Sequence, residues 1–355
     1  MESGKNHIRF GCFLPVPATP VEKLLKIAKV NEEAGFDSIW FPDHVLFIPP
    51  GTVPEAWTTL AATAVVTEKA LLGTCVSDPH RYHPAVFAQK VATVDRISGG
   101  RVILGLGAGE AMNLEPFGIE WKNPVSKLVE AVTIMRKLWS GETLTYEGRF
   151  WKLKDAFLQI NPVKNRVPIY FGANSPRTLR LTGEMADGWL SVPLPPRLYE
   201  KRLNLVREGA QKAGKSIDDI DMGIYLYTSI ADKAEDAFKQ IETIKPQIVP
   251  SPEILREAGY DIELPKELQS LSYFKAFPDS EWLEKFLKYG ELIPKEAAIE
   301  FSVAGTLEDC TNRIDEYIRA GVRHFILMNA GPDPRRVVEL YSKEIIPRFT
   351  SIDRF

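Results

Sequence analysis

The sequence predicts an α/β chain folded as a (β/α)8 TIM barrel with insertions, and three observations carry that expectation. Short β-rich runs alternate with amphipathic helical stretches, the pattern of a parallel sheet covered by helices. Eight such units can be counted, and with right-handed crossovers that is the number that closes a barrel. Several apolar runs end in glycines and polar side chains, and in a barrel the carboxyl ends of the strands carry the chemistry. A doubly wound open sheet is the alternative that the same alternation permits.

The first unit is a strand over 8–14 and a helix over 21–33, closed by Gly35 where a C-cap favours a left-handed residue. Strand 38–41 is followed by helix 57–66, strand 71–76 by helix 84–97, and strand 101–106 by helix 125–139. The rhythm breaks at 144–153, which reads as a hairpin turning at Glu147-Gly148 and too short to cross a sheet. It resumes with strand 168–171, helix 177–185, strand 188–192, helix 198–213 and strand 222–230. Residues 246–295 mix prolines, charges and aromatics without a clean period. An irregular insertion with short helices, of the kind that builds lids, is expected there, within one domain spanning 1–355. Helix 308–319, strand 324–328 and helix 337–346 complete the count.

The 355 residues, 45% hydrophobic and 26% charged, have an ordinary globular balance and enough apolar material for a large core. A formal net charge of -3 offers no basic field to a phosphodiester backbone, which argues against nucleic acid as a partner. The apolar stretches fall far short of the roughly 20 residues a bilayer span needs. Residues 1–5 lack the apolar core of a signal peptide, so a cytoplasmic protein is expected. Cys12, Cys75 and Cys310 stand far apart with no Cys-x-x-Cys spacing, which supports neither a disulfide scaffold nor a zinc–thiolate site.

The strand ends hold the candidate chemistry. Trp40-Phe41-Pro42-Asp43-His44 delivers a carboxylate and an imidazole together, a pair able to orient a ring and move a proton near neutral pH. The plainer alternative is a loop-capping Asp43 beside a surface His44. After the third strand, His80 and His83 near Asp78 suggest a metal site, but Pro84 and the helix start break the geometry and no third ligand is evident. The fourth strand ends in Gly105-Leu106-Gly107-Ala108-Gly109-Glu110, whose glycines let backbone lie close against a flat ligand or a phosphate. A dinucleotide fingerprint would need glycine at Glu110 and an immediate helix, so that reading is rejected. Phe171-Gly172-Ala173-Asn174-Ser175-Pro176 runs directly into a helix whose free amides suit an anion; Ser175 as N-cap and Pro176 at the first helical position describe the same turn without a ligand.

Taken together, several segments resemble the coenzyme F420-dependent branch of the luciferase-like superfamily. They are 40–44, 72–76, 81–86, 99–102 through Gly109-Glu110, and Ala186-Asp187-Gly188-Trp189. Residues 115–118, Glu120-Trp121 and 301–306 are similar to phthiodiolone ketoreductase-like members in particular. The resemblance implies that Asp43 hydrogen-bonds the deazaflavin and that Cys75-Val76 forms a bulge with a non-proline cis peptide behind the ring. Gly107, Gly109, Glu110 and Asn113 would line the ring and ribityl chain, while Gly172, Ala173, Asn174 and Ser175 would hold the phosphate. It also implies a homodimer.

Three departures limit it. Sugar and alcohol dehydrogenases of the branch carry a tryptophan shortly after the Asp-His pair, where Val45-Leu46-Phe47-Ile48 stands. A phosphate-gripping lysine after the sixth strand is replaced by Val192-Pro193-Leu194-Pro195-Pro196, and Phe13 occupies the place of a glutamate found in methylenetetrahydromethanopterin reductases.

The expected activity is hydride transfer from reduced deazaflavin to a ketone or iminium-type carbon, or the reverse, with Glu110 or His44 as the proton donor. A carboxyl group desolvated in a cofactor pocket can serve as an acid near neutrality. Phe13, Phe47, Ile48, Trp57 and the 246–295 insertion would form an apolar substrate pocket. The alternatives are a methylenetetrahydromethanopterin reductase-like enzyme, an FMN-dependent monooxygenase on the same barrel, and a non-catalytic cofactor-binding barrel.

Overall fold

A computed structural model describes residues 7–15, 19–47, 51–249, 251–269 and 280–350. Among the described residues eleven strands run in chain order: β1 (Arg9–Phe13), β2 (Ser38–Phe41), β3 (Leu71–Thr74), β4 (Val102–Leu106), β5 (Leu144–Glu147), β6 (Lys152–Ala156), β7 (Ile169–Gly172), β8 (Gly188–Ser191), β9 (Asp221–Ile230), β10 (Val303–Gly305) and β11 (His324–Asn329). The ring β9-β11-β1-β2-β3-β4-β7-β8 returns to β9, so eight parallel strands close a barrel and the open sheet is excluded. Helices Val21–Glu33, Ala56–Val66, Pro84–Ile97, Pro124–Trp139, Pro176–Met185 and Pro196–Lys212 follow their strands, each with proline or a capping side chain at its start.

The barrel interior is filled by alternating large and small residues on neighbouring strands. Phe13, Trp40, Ile103, Tyr170, Leu190 and Ile326 form one buried layer. Glycines make room for the two largest: a Cβ on Gly73 would lie 2.4 Å from the Trp40 ring, and one on Gly188 2.5 Å from the Tyr170 ring. Below them, at the amino ends of the strands, lies a polar cluster. Asp221 accepts from Arg9 (2.8 Å) and the Tyr170 hydroxyl (2.7 Å) and lies 3.0 Å from His324 Nδ1. Ser38 Oγ sits 2.7 Å from His324 Nε2 and accepts from the Trp40 indole.

Three elements depart from the sequence expectation. The hairpin exists, but its turn is the four residues 148–151 rather than Glu147-Gly148, because the Glu130 carboxylate accepts the backbone N–H groups of Arg149, Phe150 and Trp151. Helix Ala234–Thr243 follows β9, where no helix was read, and β10 adds a short strand beside β9. Over 245–295, helices Lys245–Ile248 and Pro252–Glu257 are short, Ser280–Leu292 is a longer helix of 13 residues, and 250 and 270–279 lie outside the described residues. No helix among the described residues is long and apolar enough to cross a membrane.

Candidate active site

At the carboxyl ends of the strands a cavity of about 400 Å³ is lined from almost every barrel strand. Phe13 comes from β1, Asp43, His44 and Phe47 from the loop after β2, Cys75 to Asp78 from the end of β3, and Gly107 to Glu110 with Asn113 from beyond β4. Gly172, Asn174 and Ser175 come from the end of β7, Leu190 to Pro193 from β8 and its loop, and Tyr225 and Tyr227 from β9. Asp43, Cys75, Glu110 and Gly172, far apart in sequence, therefore border one cavity.

Asp43 is locked in place. Its Oδ1 accepts from Arg81 Nη1 (3.0 Å) and its Oδ2 from the Ser77 hydroxyl (2.5 Å), while Arg81 also binds the Asp43 carbonyl and Asp78. Burial pushes the Asp43 carboxyl above its ordinary range, against the opposing pull of Arg81 and Ser77.

His44 Nε2 lies 3.5 Å from Glu110 Oε2, and burial pushes the imidazole below its ordinary pKa despite the neighbouring carboxylate. The same Glu110 oxygen accepts from the Asn113 amide at 3.2 Å. Asn113 in turn accepts the backbone N–H groups of Val45 and Leu46, so one side chain ties the loop after β2 to Glu110. Burial raises the Cys75 thiol to about 12, which keeps it protonated and inert as a nucleophile.

The Cys75–Val76 peptide is cis, and the Val76 side chain packs under two glycines. A Cβ on Gly107 would come within 2.8 Å of it and one on Gly172 within 3.1 Å, so a side chain at either position would press on Val76. Gly109 has φ +85°, a left-handed conformation that other residues rarely adopt. His44 Nδ1, Asn174 Oδ1 and Gln247 Oε1 are buried without a hydrogen-bond partner, and all three residues line the cavity. Buried polar atoms are normally satisfied, so three orphans on residues that line one cavity are consistent with a ligand site there.

Two expected residues are placed elsewhere. Trp57 is not in the cavity wall: it is 2% exposed, packs edge-on against Phe87 and donates to Ser77 Oγ at 3.2 Å, one layer behind the site. Ala173 is also buried behind the wall, its carbonyl accepting from the Trp189 indole. Ile48 lies outside the described residues. His80 and His83 diverge: His80 Nε2 meets the Ala108 carbonyl, and His83 caps helix Pro84–Ile97.

The sequence reading missed Arg81, Ser77 and Asp78 as a unit, and Trp121, Thr178, Tyr225, Tyr227 and Gln247 as wall residues. Tyr225 and Tyr227 were detectable, because residues two apart on a strand share a face.

A sequence profile of the luciferase-like monooxygenase family matches residues 8–324. The chain belongs to the luciferase-like family. This luciferase-like protein is 33% identical over 349 residues to F420-dependent glucose-6-phosphate dehydrogenase of Microbacterium testaceum, covering 96% of this chain and 97% of that one. It is 32% identical over 337 residues to 5,10-methylenetetrahydromethanopterin reductase of Archaeoglobus fulgidus, covering 94% and 97%. The solved F420-dependent secondary alcohol dehydrogenase in complex with an F420–acetone adduct superposes with a TM-score of 0.80 at 28% identity, over 97% of this chain and 99% of that one.

Proposed function

We propose that the protein is an F420-dependent oxidoreductase that moves a hydride between the deazaflavin and a carbonyl or alcohol carbon of an organic substrate carrying no phosphate. The observation that supports it is a single cavity combining a glycine-lined slot, an imidazole–carboxylate pair and orphaned buried polar atoms. Among the described residues lining that cavity there is no lysine or arginine, whereas Asp43, Asp78 and Glu110 are acidic. A phosphorylated sugar finds no counter-charge there, which favours the alcohol and ketone chemistry of the relatives over the sugar-phosphate chemistry.

Val76, Gly107, Gly109 and Gly172 would hold the flat ring, and Asn174, Ser175 and Thr178 the phosphate end. When bound, the deazaflavin supplies or takes up the hydride. The chain's own residues handle the proton. His44 is kept uncharged by burial. With its Nε2–H turned toward Glu110, the remaining lone pair sits on Nδ1, the atom without a partner. The His44 imidazole would accept the proton of a substrate hydroxyl during oxidation and return it to the oxygen during reduction, and the Glu110 carboxylate would stabilise the imidazolium formed meanwhile.

The test is direct. Affinity for F420 and for FMN is measured by fluorescence, and deazaflavin absorbance is followed with secondary alcohols, ketones and glucose 6-phosphate. Preferential F420 binding with turnover of an uncharged substrate is expected. Tight FMN binding with none for F420 would overturn the cofactor, and turnover confined to the sugar phosphate would overturn the substrate class.

A further inference from the structure

One polar side chain bordering the cavity has no task in coenzyme binding or proton transfer. Of the three residues there with a buried polar atom lacking a partner, His44 would serve the proton and Asn174 the coenzyme, and Gln247 remains. Its Oε1 is shut off from water and meets no hydrogen-bond donor among the described residues. A buried acceptor left alone is costly, and a ligand that supplies a donor removes the cost.

Gln247 also differs from its neighbours in origin. Among the described residues bordering the cavity it is the one contributed by the segment 245–295; the rest come from the barrel strands and from the loops and helix starts that follow them. Its backbone is held by packing. The short helix Lys245–Ile248 lies against the end of helix Ser280–Leu292: Lys245 Nζ donates to the Ile293 carbonyl at 2.7 Å, and a Cβ on Gly290 would come within 2.8 Å of the Pro246 ring. Ile248 and Val249 are fully buried. A side chain carried on so fixed a backbone can impose a geometry on what it binds.

Much of the lining not claimed by the coenzyme is apolar or aromatic. The rings of Phe13 and Tyr225 lie 4.8 Å apart and those of Tyr225 and Tyr227 5.3 Å, and Val192 and Pro193 border the same space. The acids of the cavity are engaged elsewhere, Asp43 and Asp78 by Arg81 and Glu110 by Asn113. An amide among such surroundings suits an uncharged partner, and it offers both an acceptor and donors.

We propose that Gln247 is a specificity-determining residue: its amide hydrogen-bonds a second, uncharged polar group, a hydroxyl or a carbonyl, that the substrate carries on an apolar body apart from the carbon exchanging hydride. The proposal rests on the alcohol and ketone reading above and narrows its substrate class. A site built around such a bond rejects the analogue that lacks the group, because the amide then stays unpaired.

The experiment follows deazaflavin absorbance with 2-heptanol and with a set of heptanediols that keep the 2-hydroxyl and add a second hydroxyl along the chain. For the native protein kcat/KM is expected to be about tenfold higher with the best diol, most of the difference lying in KM. Gln247→Leu, which keeps the bulk and removes the polar atoms, is expected to bring the diol-to-alcohol ratio close to one. Gln247→Asn, which withdraws the amide by one methylene, is expected to weaken the ratio and serves if Gln247→Leu fails to fold. A native protein with no preference for any diol, or a preference that survives both variants, overturns the proposal and leaves the dehydrogenase reading standing. So does a tenfold loss of F420 affinity in Gln247→Leu with the ratio kept, which would assign the residue to the coenzyme. Turnover of neither alcohol nor diol by the F420-bound protein overturns both.

Discussion

Glu110 is gripped on one oxygen by Asn113 and approached on the same oxygen by His44, so its position and its charge can be separated experimentally. Glu110→Gln keeps an acceptor for Asn113 but removes the charge. We expect kcat to fall about 100-fold with coenzyme affinity unchanged, a loss typical of one proton-transfer partner. The pH profile supplies an independent reading. Because burial holds His44 below its ordinary 6.5, the imidazole stays uncharged to lower pH, and the acid limb of alcohol oxidation should lie below that value. Glu110 is the group that raises His44, so its loss should move the limb further down; an upward movement would contradict the pairing. At this scale much of the site was legible, because Asp43-His44 and Gly107 to Glu110 are contiguous in sequence and fall at strand ends. Trp57 was misplaced because sequence shows that an indole is near the mouth but not which way it turns, and the Ser77 hydroxyl that draws it inward becomes visible only in three dimensions.

Among the elements, the segment Gly99-Gly100-Arg101-Val102 carried family resemblance without an evident task, and the structure supplies one. Arg101 is buried and donates to the carbonyls of Ala64, Thr67, Ala70 and Ser98 and to the Thr67 hydroxyl, fastening the carboxyl end of helix Ala56–Val66 to the start of β4. Arg101→Ala leaves several of these carbonyls buried and unpaired, and we expect it to cost about 3 kcal/mol in denaturant unfolding without altering the coenzyme preference. Arg101→Lys should recover only part, since one ammonium cannot span the same acceptors. Elements with long apolar periods were read correctly. Helix Ala234–Thr243 was not, since it buries only Ala237 and Ile241 and shows too short an apolar stripe. The three residues of β10 are below the length at which alternation can be recognised.

Across the whole molecule, the two ends of the barrel differ in kind: a ligand cavity at one, an ion cluster at the other. Asp221 joins Arg9, Tyr170 and His324 from four strands, and these partners hold its carboxyl well below the ordinary 3.8 despite burial. A carboxyl lowered on folding contributes stability that is present above its unfolded value and is lost as pH falls below it, so unfolding free energy should drop steeply below about pH 4. Asp221→Asn should cost about 3 kcal/mol at neutral pH and flatten that acid dependence, as measured by urea titrations across pH. Between the two ends lies the layer of Trp40 and Tyr170 over Gly73 and Gly188, which fills the barrel's interior and leaves no lengthwise channel among the described residues. The cavity is therefore a cul-de-sac. Two molecules sharing it must queue, the last to arrive being the first to depart, and initial-rate measurements with both varied should show compulsory order rather than independent traffic.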